Sequence, residues 1–86
     1  MTTKIFAFPA PARVKVLDPI ITTGPSMHAE ILSSVENRIL VRVPKNVIVG
    51  AMVQVRSGEQ IAFGEVRSAA SLGAGYEIGV DIARSA

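Results

Sequence analysis

The sequence predicts an all-β fold, a small barrel or roll. Residues 76–82 alternate apolar and polar side chains without a break, so that Tyr76, Ile78, Val80 and Ile82 share one face. Such period-2 alternation is typical of a strand with one buried and one solvent-facing side. Short segments of this kind recur at near-regular spacing between glycines and prolines, and no helical stripe of useful length interrupts them.

The alternation predicts strands over residues 13–18, 27–35, 38–43, 51–56, 61–66 and 76–82. Pro19 and Pro44 end the first and third of these, because proline lacks the amide that a sheet ladder needs. Tight turns are expected at 36–37 and 57–59, and a longer loop at 70–75. On the second strand His28, Glu30 and Ser34 are expected outward. The side chains expected inward on the first three strands are Val14, Val16, Met27, Ala29, Ile31, Val35, Ile39, Val41 and Val43.

The strand at 61–66 is predicted to change phase along its length. Ile61 and Phe63 are expected inward at its start, and Val66 is expected inward at its end. Gly64 lies at the change, as a glycine does where a bulge bends a strand. A bulged strand beside the regular strand at 76–82 indicates a sheet that curls toward closure.

Length and composition indicate one domain. Its 86 residues are few for a single core, but 49% of them are apolar and a core can form. The absence of cysteine excludes disulfides and thiolate metal sites and is compatible with a reducing cytoplasm. No apolar run approaches the roughly 20 residues of a membrane span, and Pro9 interrupts the short apolar start. We therefore expect a cytoplasmic protein with neither membrane insertion nor a signal peptide.

The N-terminal residues 1–12 are predicted to form an extended arm outside the barrel domain of residues 13–86. Pro9 and Pro11 lack backbone donors and push the preceding residues into extended conformations. Phe6 and Phe8 are half of the aromatic residues in the chain. The simpler interpretation is that they dock on this protein's own barrel as a plug. The alternative is that they anchor a partner protein or a second copy of the chain.

Three segments resemble the second half of a PilZ domain. They are Val49-Gly50-Ala51-Met52-Val53-Gln54-Val55, then Ile61-Ala62-Phe63-Gly64-Glu65-Val66-Arg67, then Gly75-Tyr76-Glu77-Ile78-Gly79-Val80-Asp81-Ile82. The similarity extends back through residues 29–32 and 39–43. It implies a closed or partly open six-stranded antiparallel β-barrel and a bacterial, cytoplasmic signalling context.

The residues with which that family binds cyclic di-GMP are missing. The family carries an RxxxR segment before the barrel, and here no second arginine follows Arg13. Its (D/N)xSxxG segment falls on residues 33–38, where Ser33, Val35 and Arg38 replace the acidic or amide residue, the serine and the glycine. The resemblance therefore implies a degenerate member that works through protein contacts. We expect a non-enzymatic interaction or signalling adaptor without cyclic di-GMP, with an unknown protein partner and a possible homodimer.

A rebuilt nucleotide site is the alternative. Arg13, Lys15, Arg38 and Arg42 are all expected on the outer face, where together they could hold a phosphate. The simpler interpretation is a solvated barrel wall, because outward charge is the ordinary solution for a half-exposed sheet.

Nucleic-acid binding and catalysis have less support. Single-strand binders stack bases on exposed aromatics, but Phe63 and Tyr76 are both expected inward, which leaves charge alone. His28 has no Cys or second His with which to hold zinc, and Ser26 nearby does not complete a hydrolase triad. The glycine-rich residues 72–75 precede a strand rather than a helix, so they do not form a phosphate cradle. No enzyme activity, cofactor or metal is expected.

Overall fold

A computed structural model describes residues 8–18 and 26–85 of the chain. The strands are β1 (Ala10–Asp18), β2 (Met27–Val35), β3 (Arg38–Val43), β4 (Met52–Ser57), β5 (Gln60–Leu72) and β6 (Gly75–Ser85). They form a closed barrel in the order β1-β2-β3-β6-β5-β4, and every neighbouring pair is antiparallel. The predicted all-β, six-stranded antiparallel barrel is therefore confirmed.

The barrel interior is filled by β-branched side chains from all six strands. Each such side chain contributes roughly 1.5–3 kcal/mol when it is fully buried. The predicted inward positions of β3 and of residues 78–82 in β6 are confirmed, and Tyr76 packs against the core at its edge. The largest fully buried side chains are Val14, Ile31, Ile39, Val41, Val43, Val53, Val55, Val66, Ile78 and Val80.

A bulge in β2 reverses the second half of that strand. Ile31 is paired with Val41, but the next pair is Ser33 with Leu40, so Leu32 is an extra residue. An inserted residue moves every later side chain to the opposite face. The predictions that Val35 faces inward and Ser34 outward are therefore wrong: Val35 is 65% exposed and Ser34 is 5% exposed.

The β5 strand also faces the other way from the prediction over its first residues. Ala62 and Val66 are fully buried and Gly64 is buried between them, whereas Ile61 and Phe63 are only half-buried. Because alternate residues share a face, Ile61 and Phe63 lie on the outer surface of the barrel. The prediction that they face inward is wrong.

The predicted irregularity at Gly64 is present, although the extra residue belongs to β6. The pairing passes from Phe63 with Arg84 to Gly64 with Ile82, which leaves Ala83 unpaired. Gly64 permits this close approach, because a Cβ there would meet the Asp81 carbonyl oxygen and would lie 2.8 Å from Val80 Cγ1.

Two predicted boundaries need correction. The first strand begins at Ala10, and residues 10–12 pair with β2, so they belong to the barrel rather than to an arm. Ser57 Oγ also donates a hydrogen bond to the Pro11 carbonyl (2.8 Å), which joins the end of β4 to this segment. The predicted loop at 70–75 is a two-residue turn at Gly73 and Ala74, because β5 continues to Leu72.

None of the described residues belongs to a helix with the length and apolar character needed to cross a membrane.

Candidate functional site

The turn between β2 and β3 occupies the place where the PilZ resemblance puts the guanine-reading segment. Glu36 adopts a left-handed backbone conformation (φ 53°), which allows the two-residue reversal at Glu36 and Asn37. The Asn37 carbonyl accepts a hydrogen bond from the Ile82 amide (2.6 Å). A backbone hydrogen bond therefore joins the turn to β6.

An open groove of about 600 Å³ lies beside this turn. Its walls include Ser33, Val35 and Leu40, together with Arg38 and Asp81. Val35 offers a nucleotide base no hydrogen bond at the position where the family has a serine. The groove thus combines apolar surface with one ion pair.

Arg38 and Asp81 neutralise each other at the end of the groove. Arg38 Nε donates to Asp81 Oδ1 at 2.8 Å, and Arg67 Nε lies 3.8 Å from Asp81 Oδ2. The hydrogen bond from Arg38 is the largest effect and lowers the pKa of Asp81, whereas desolvation opposes it. The positive charges of Arg38 and Arg67 lower this pKa further. The same bond raises the pKa of Arg38. A phosphate at this position would have to displace a carboxylate.

The structure does not gather the four cations proposed as a nucleotide site. Arg13 and Lys15 lie on β1 and Arg38 and Arg42 lie on β3, with β2 between the two strands. Arg42 Nη1 lies 3.7 Å from Glu30 Oε1, so this cation faces a carboxylate as Arg38 does. Of these four cations, Arg13 and Lys15 have no carboxylate partner among the side chains described.

Of the two phenylalanines in the predicted arm, the structure describes one. Phe6 lies outside the described residues. Phe8 directly precedes Pro9 and β1, and its side chain is 37% exposed.

The residues considered for catalysis do not assemble into a site. His28 is exposed on β2 and lies opposite Arg13. Ser26 Oγ accepts a long hydrogen bond of 3.4 Å from Arg13 rather than contacting an imidazole. Over residues 8–18 and 26–85, no three His, Asp or Glu side chains cluster as a metal site would require.

A different surface, which the sequence analysis missed, is brought together by β1, β4, β5 and the end of β6. The pairing places Lys15 opposite Gln54, Gln54 opposite Phe63, and Phe63 opposite Arg84. Directly paired residues of antiparallel strands lie on the same face, so this row is continuous on the outside of the barrel.

The neighbouring row on the same face is also cationic. Arg56 lies between Arg13 on β1 and Ile61 on β5. We call Arg13, Lys15, Arg56 and Arg84, together with Gln54, Ile61 and Phe63, the basic wall. The alternate positions Ala62, Gly64 and Val66 could have been recognised as one inward face, which would have placed Phe63 outward. A search for bulky apolar side chains misses this face because Ala62 and Gly64 are small.

No family model, curated protein or solved structure matches this chain.

Proposed function

We propose that this chain is a PilZ-like barrel that lacks a cyclic di-GMP site and acts as a non-enzymatic protein-interaction or adaptor module in bacterial cytoplasmic signalling. A closed six-stranded antiparallel barrel is what the resemblance in residues 49–55, 61–67 and 75–82 implies, and such a barrel is present. The loss of polar chemistry at Val35 and the pairing of Arg38 with Asp81 support the absence of the nucleotide.

The observation that carries the proposal is an apolar projection between β3 and β4. Ile48 and Val49 are 59% and 60% exposed, although they are adjacent β-branched residues in a short connection. Apolar side chains of this size gain free energy when a partner covers them, and they are typical of the centre of a protein interface.

This projection is held in place by the barrel. Val47, the preceding residue, is buried at 3% exposure and anchors the segment. The Ala51 amide donates to the Ile48 carbonyl (3.1 Å), and the Gly50 amide donates to the Val66 carbonyl (2.7 Å). A fixed apolar projection loses little conformational entropy on binding, which favours a specific partner.

The test is quantitative affinity capture from an extract of the native cell, with the wild-type chain and a double variant, Ile48→Ser with Val49→Ser. The matched control is Val35→Ser, which makes another exposed apolar residue polar at a different turn. We expect a partner that the wild type and the control retain and the double variant loses at least about tenfold. Equal recovery by all three chains would contradict the proposal.

Titration calorimetry with cyclic di-GMP tests the absence of the second messenger. We expect no binding heat, because Arg38 and Arg67 both face the Asp81 carboxylate, which a phosphate would have to displace. Micromolar binding that Arg38→Ala abolishes would instead establish the chain as a receptor.

A further inference from the structure

The basic wall is distinguished by charges that have no carboxylate partner. Arg13, Lys15, Arg56 and Arg84 are all exposed, and none of them forms an ion pair with any carboxylate whose side chain is described. Exposed like charges on one face create a local positive potential that attracts anions. The arrangement is therefore suited to an anionic ligand.

Carboxylates near the wall are already engaged by other cations. Glu65 lies two residues beyond Phe63 on the same strand face, and its Oε1 is 3.9 Å from Arg67 Nη1. Asp81 is bound by Arg38 and Arg67. Glu65 and Asp81 therefore each face an arginine that is not part of the wall.

Phe63 provides an aromatic surface in the middle of these charges. The guanidinium carbon of Arg84 lies 6.0 Å from the centroid of the Phe63 ring, which places the cation over the ring. A nucleobase can stack on a phenylalanine ring or on a guanidinium plane, since both present a flat π-system. Gln54, opposite Phe63, adds an amide that can donate to and accept from a base edge.

A shallow groove extends the wall beyond its aromatic centre. Its volume is about 370 Å³, and Arg13, Arg56 and His28 contribute to its lining. The groove follows the junction of β1 with β2 and β4, so cations line a path rather than a single point. A path of cations beside a stacking surface fits a polymer of phosphates and bases better than a single mononucleotide.

We propose that the basic wall binds single-stranded nucleic acid, with Phe63 and Arg84 stacking a base and Arg13, Lys15 and Arg56 contacting the phosphates. Binding depends mainly on charge and little on sequence, with a dissociation constant on the order of 10⁻⁵ M near physiological salt. This inference goes beyond the proposed adaptor function and does not depend on it, because Ile48 and Val49 are not part of the wall.

The test is fluorescence anisotropy of a labelled oligothymidylate of about twelve nucleotides, a length within the usual site size of a small barrel. The wall variants are Phe63→Leu, Arg56→Gln and Arg84→Gln. Phe63→Tyr keeps an aromatic ring at the same position, and Arg42→Gln removes one positive charge from the opposite side of the barrel. Thermal melting of each variant verifies that it is folded.

We expect Phe63→Leu to weaken binding at least about fivefold, because stacking on an aromatic contributes about 1 kcal/mol or more per base. Phe63→Tyr and Arg42→Gln should bind within about twofold of the wild type. If Phe63→Leu does not fold, the two arginine variants decide in its place, since each should weaken binding severalfold while Arg42→Gln does not.

Three results would overturn the proposal. The first is no anisotropy change at protein concentrations well above 10⁻⁴ M, the weak limit of ordinary non-specific binding. The second is an equal loss of binding in Arg42→Gln and the wall variants, which would indicate an effect of net charge alone. The third is equally tight binding of polyglutamate, which would make the wall a surface for acidic proteins.

Discussion

The two sides of this barrel carry similar numbers of cations in opposite arrangements. Across β2, β3, β5 and β6, three arginines face three carboxylates at 2.8–3.9 Å. We call this set, Arg38, Arg42, Arg67, Glu30, Glu65 and Asp81, the acid-paired wall. On the basic wall, Arg13, Lys15, Arg56 and Arg84 have no described carboxylate partner, and Arg84 lies over the Phe63 ring.

The contrast shows that net charge is a poor guide to the surface of a small protein. The chain carries only +2, which by itself predicts weak affinity for polyanions. Pairing on one side leaves the surplus on the other, and local potential rather than net charge attracts a ligand. The carboxylates of the acid-paired wall neutralise arginines there, and the unpaired positive charge therefore lies on the basic wall.

Gly64 lies where the two walls meet, and changing it should have the largest effect. A Cβ at this position would overlap the Asp81 carbonyl oxygen and press on Val80 Cγ1. We expect Gly64→Ala to lower the free energy of unfolding by about 3 kcal/mol, near the upper end for overpacking. Urea unfolding measures this, with the exposed Ser71→Ala as a control that should change stability by less than about 0.5 kcal/mol. A loss below about 1 kcal/mol for Gly64→Ala would show that β5 and β6 are not as closely apposed as described here.

The next largest expected effect is the salt dependence of oligothymidylate binding, which should differ between variants of the two walls. If three phosphates are neutralised by Arg13, Lys15 and Arg56, raising salt from about 50 to 200 mM should weaken oligothymidylate binding about twentyfold. Arg56→Gln should lower the slope of log affinity against log salt by about 0.7, whereas Arg42→Gln should leave the slope unchanged. An equal slope change in both variants would mean that the walls do not differ.

Ser34 tests the interior beneath the acid-paired wall. Its Oγ is buried and has no hydrogen-bond partner within the described part of the chain. Ser34→Ala should therefore stabilise the protein by about 1 kcal/mol, because it removes an unpaired buried hydroxyl. Ser57→Ala should destabilise it by about 1 kcal/mol, since that hydroxyl bonds the Pro11 carbonyl at 2.8 Å. Melting curves of the two variants that shift in the same direction would contradict this account.

Acid should weaken the acid-paired wall selectively, and this is the smallest expected effect. Because the pKa of Asp81 is lowered below its ordinary value of 3.8 in the folded protein, its contribution to stability is complete above that value. The contribution is lost as pH falls through the lower folded pKa. The difference in melting temperature between the wild type and Asp81→Asn should thus be present near about pH 6 and close toward about pH 2. A difference that persists unchanged in acid would show that the carboxylate charge is not its source.

The sequence predicts most of the scaffold because uninterrupted alternation encodes a strand and its faces locally. Residues 38–43 and 78–82 behave in this way, and their inward side chains are buried as predicted. The predicted facing of β2 side chains is wrong after Ile31 because Leu32 is an extra residue in the pairing with β3. The pattern of residue types does not mark this insertion. The predicted facing of side chains at the start of β5 is wrong because its inward positions carry Ala62 and Gly64. These residues are too small to dominate a hydrophobic pattern.

The basic wall was less predictable for a different reason. Arg13 and Lys15 could be placed outward from β1 alone, but the other cations of the wall, Arg56 and Arg84, come from strands distant in sequence. Which outward residues become neighbours depends on strand order and register, and a one-residue change in phase moved Phe63 from the expected interior to the surface.

The most direct test of the contrast between the walls is an amide chemical-shift titration of the ¹⁵N-labelled protein with oligothymidylate. We predict that the shifts concentrate at residues 13–15, 54–56, 61–63 and 84, while residues 38–42 and Arg67 move little. Shifts centred on the β2–β3 turn and Arg38, with the region around Phe63 unaffected, would contradict the account.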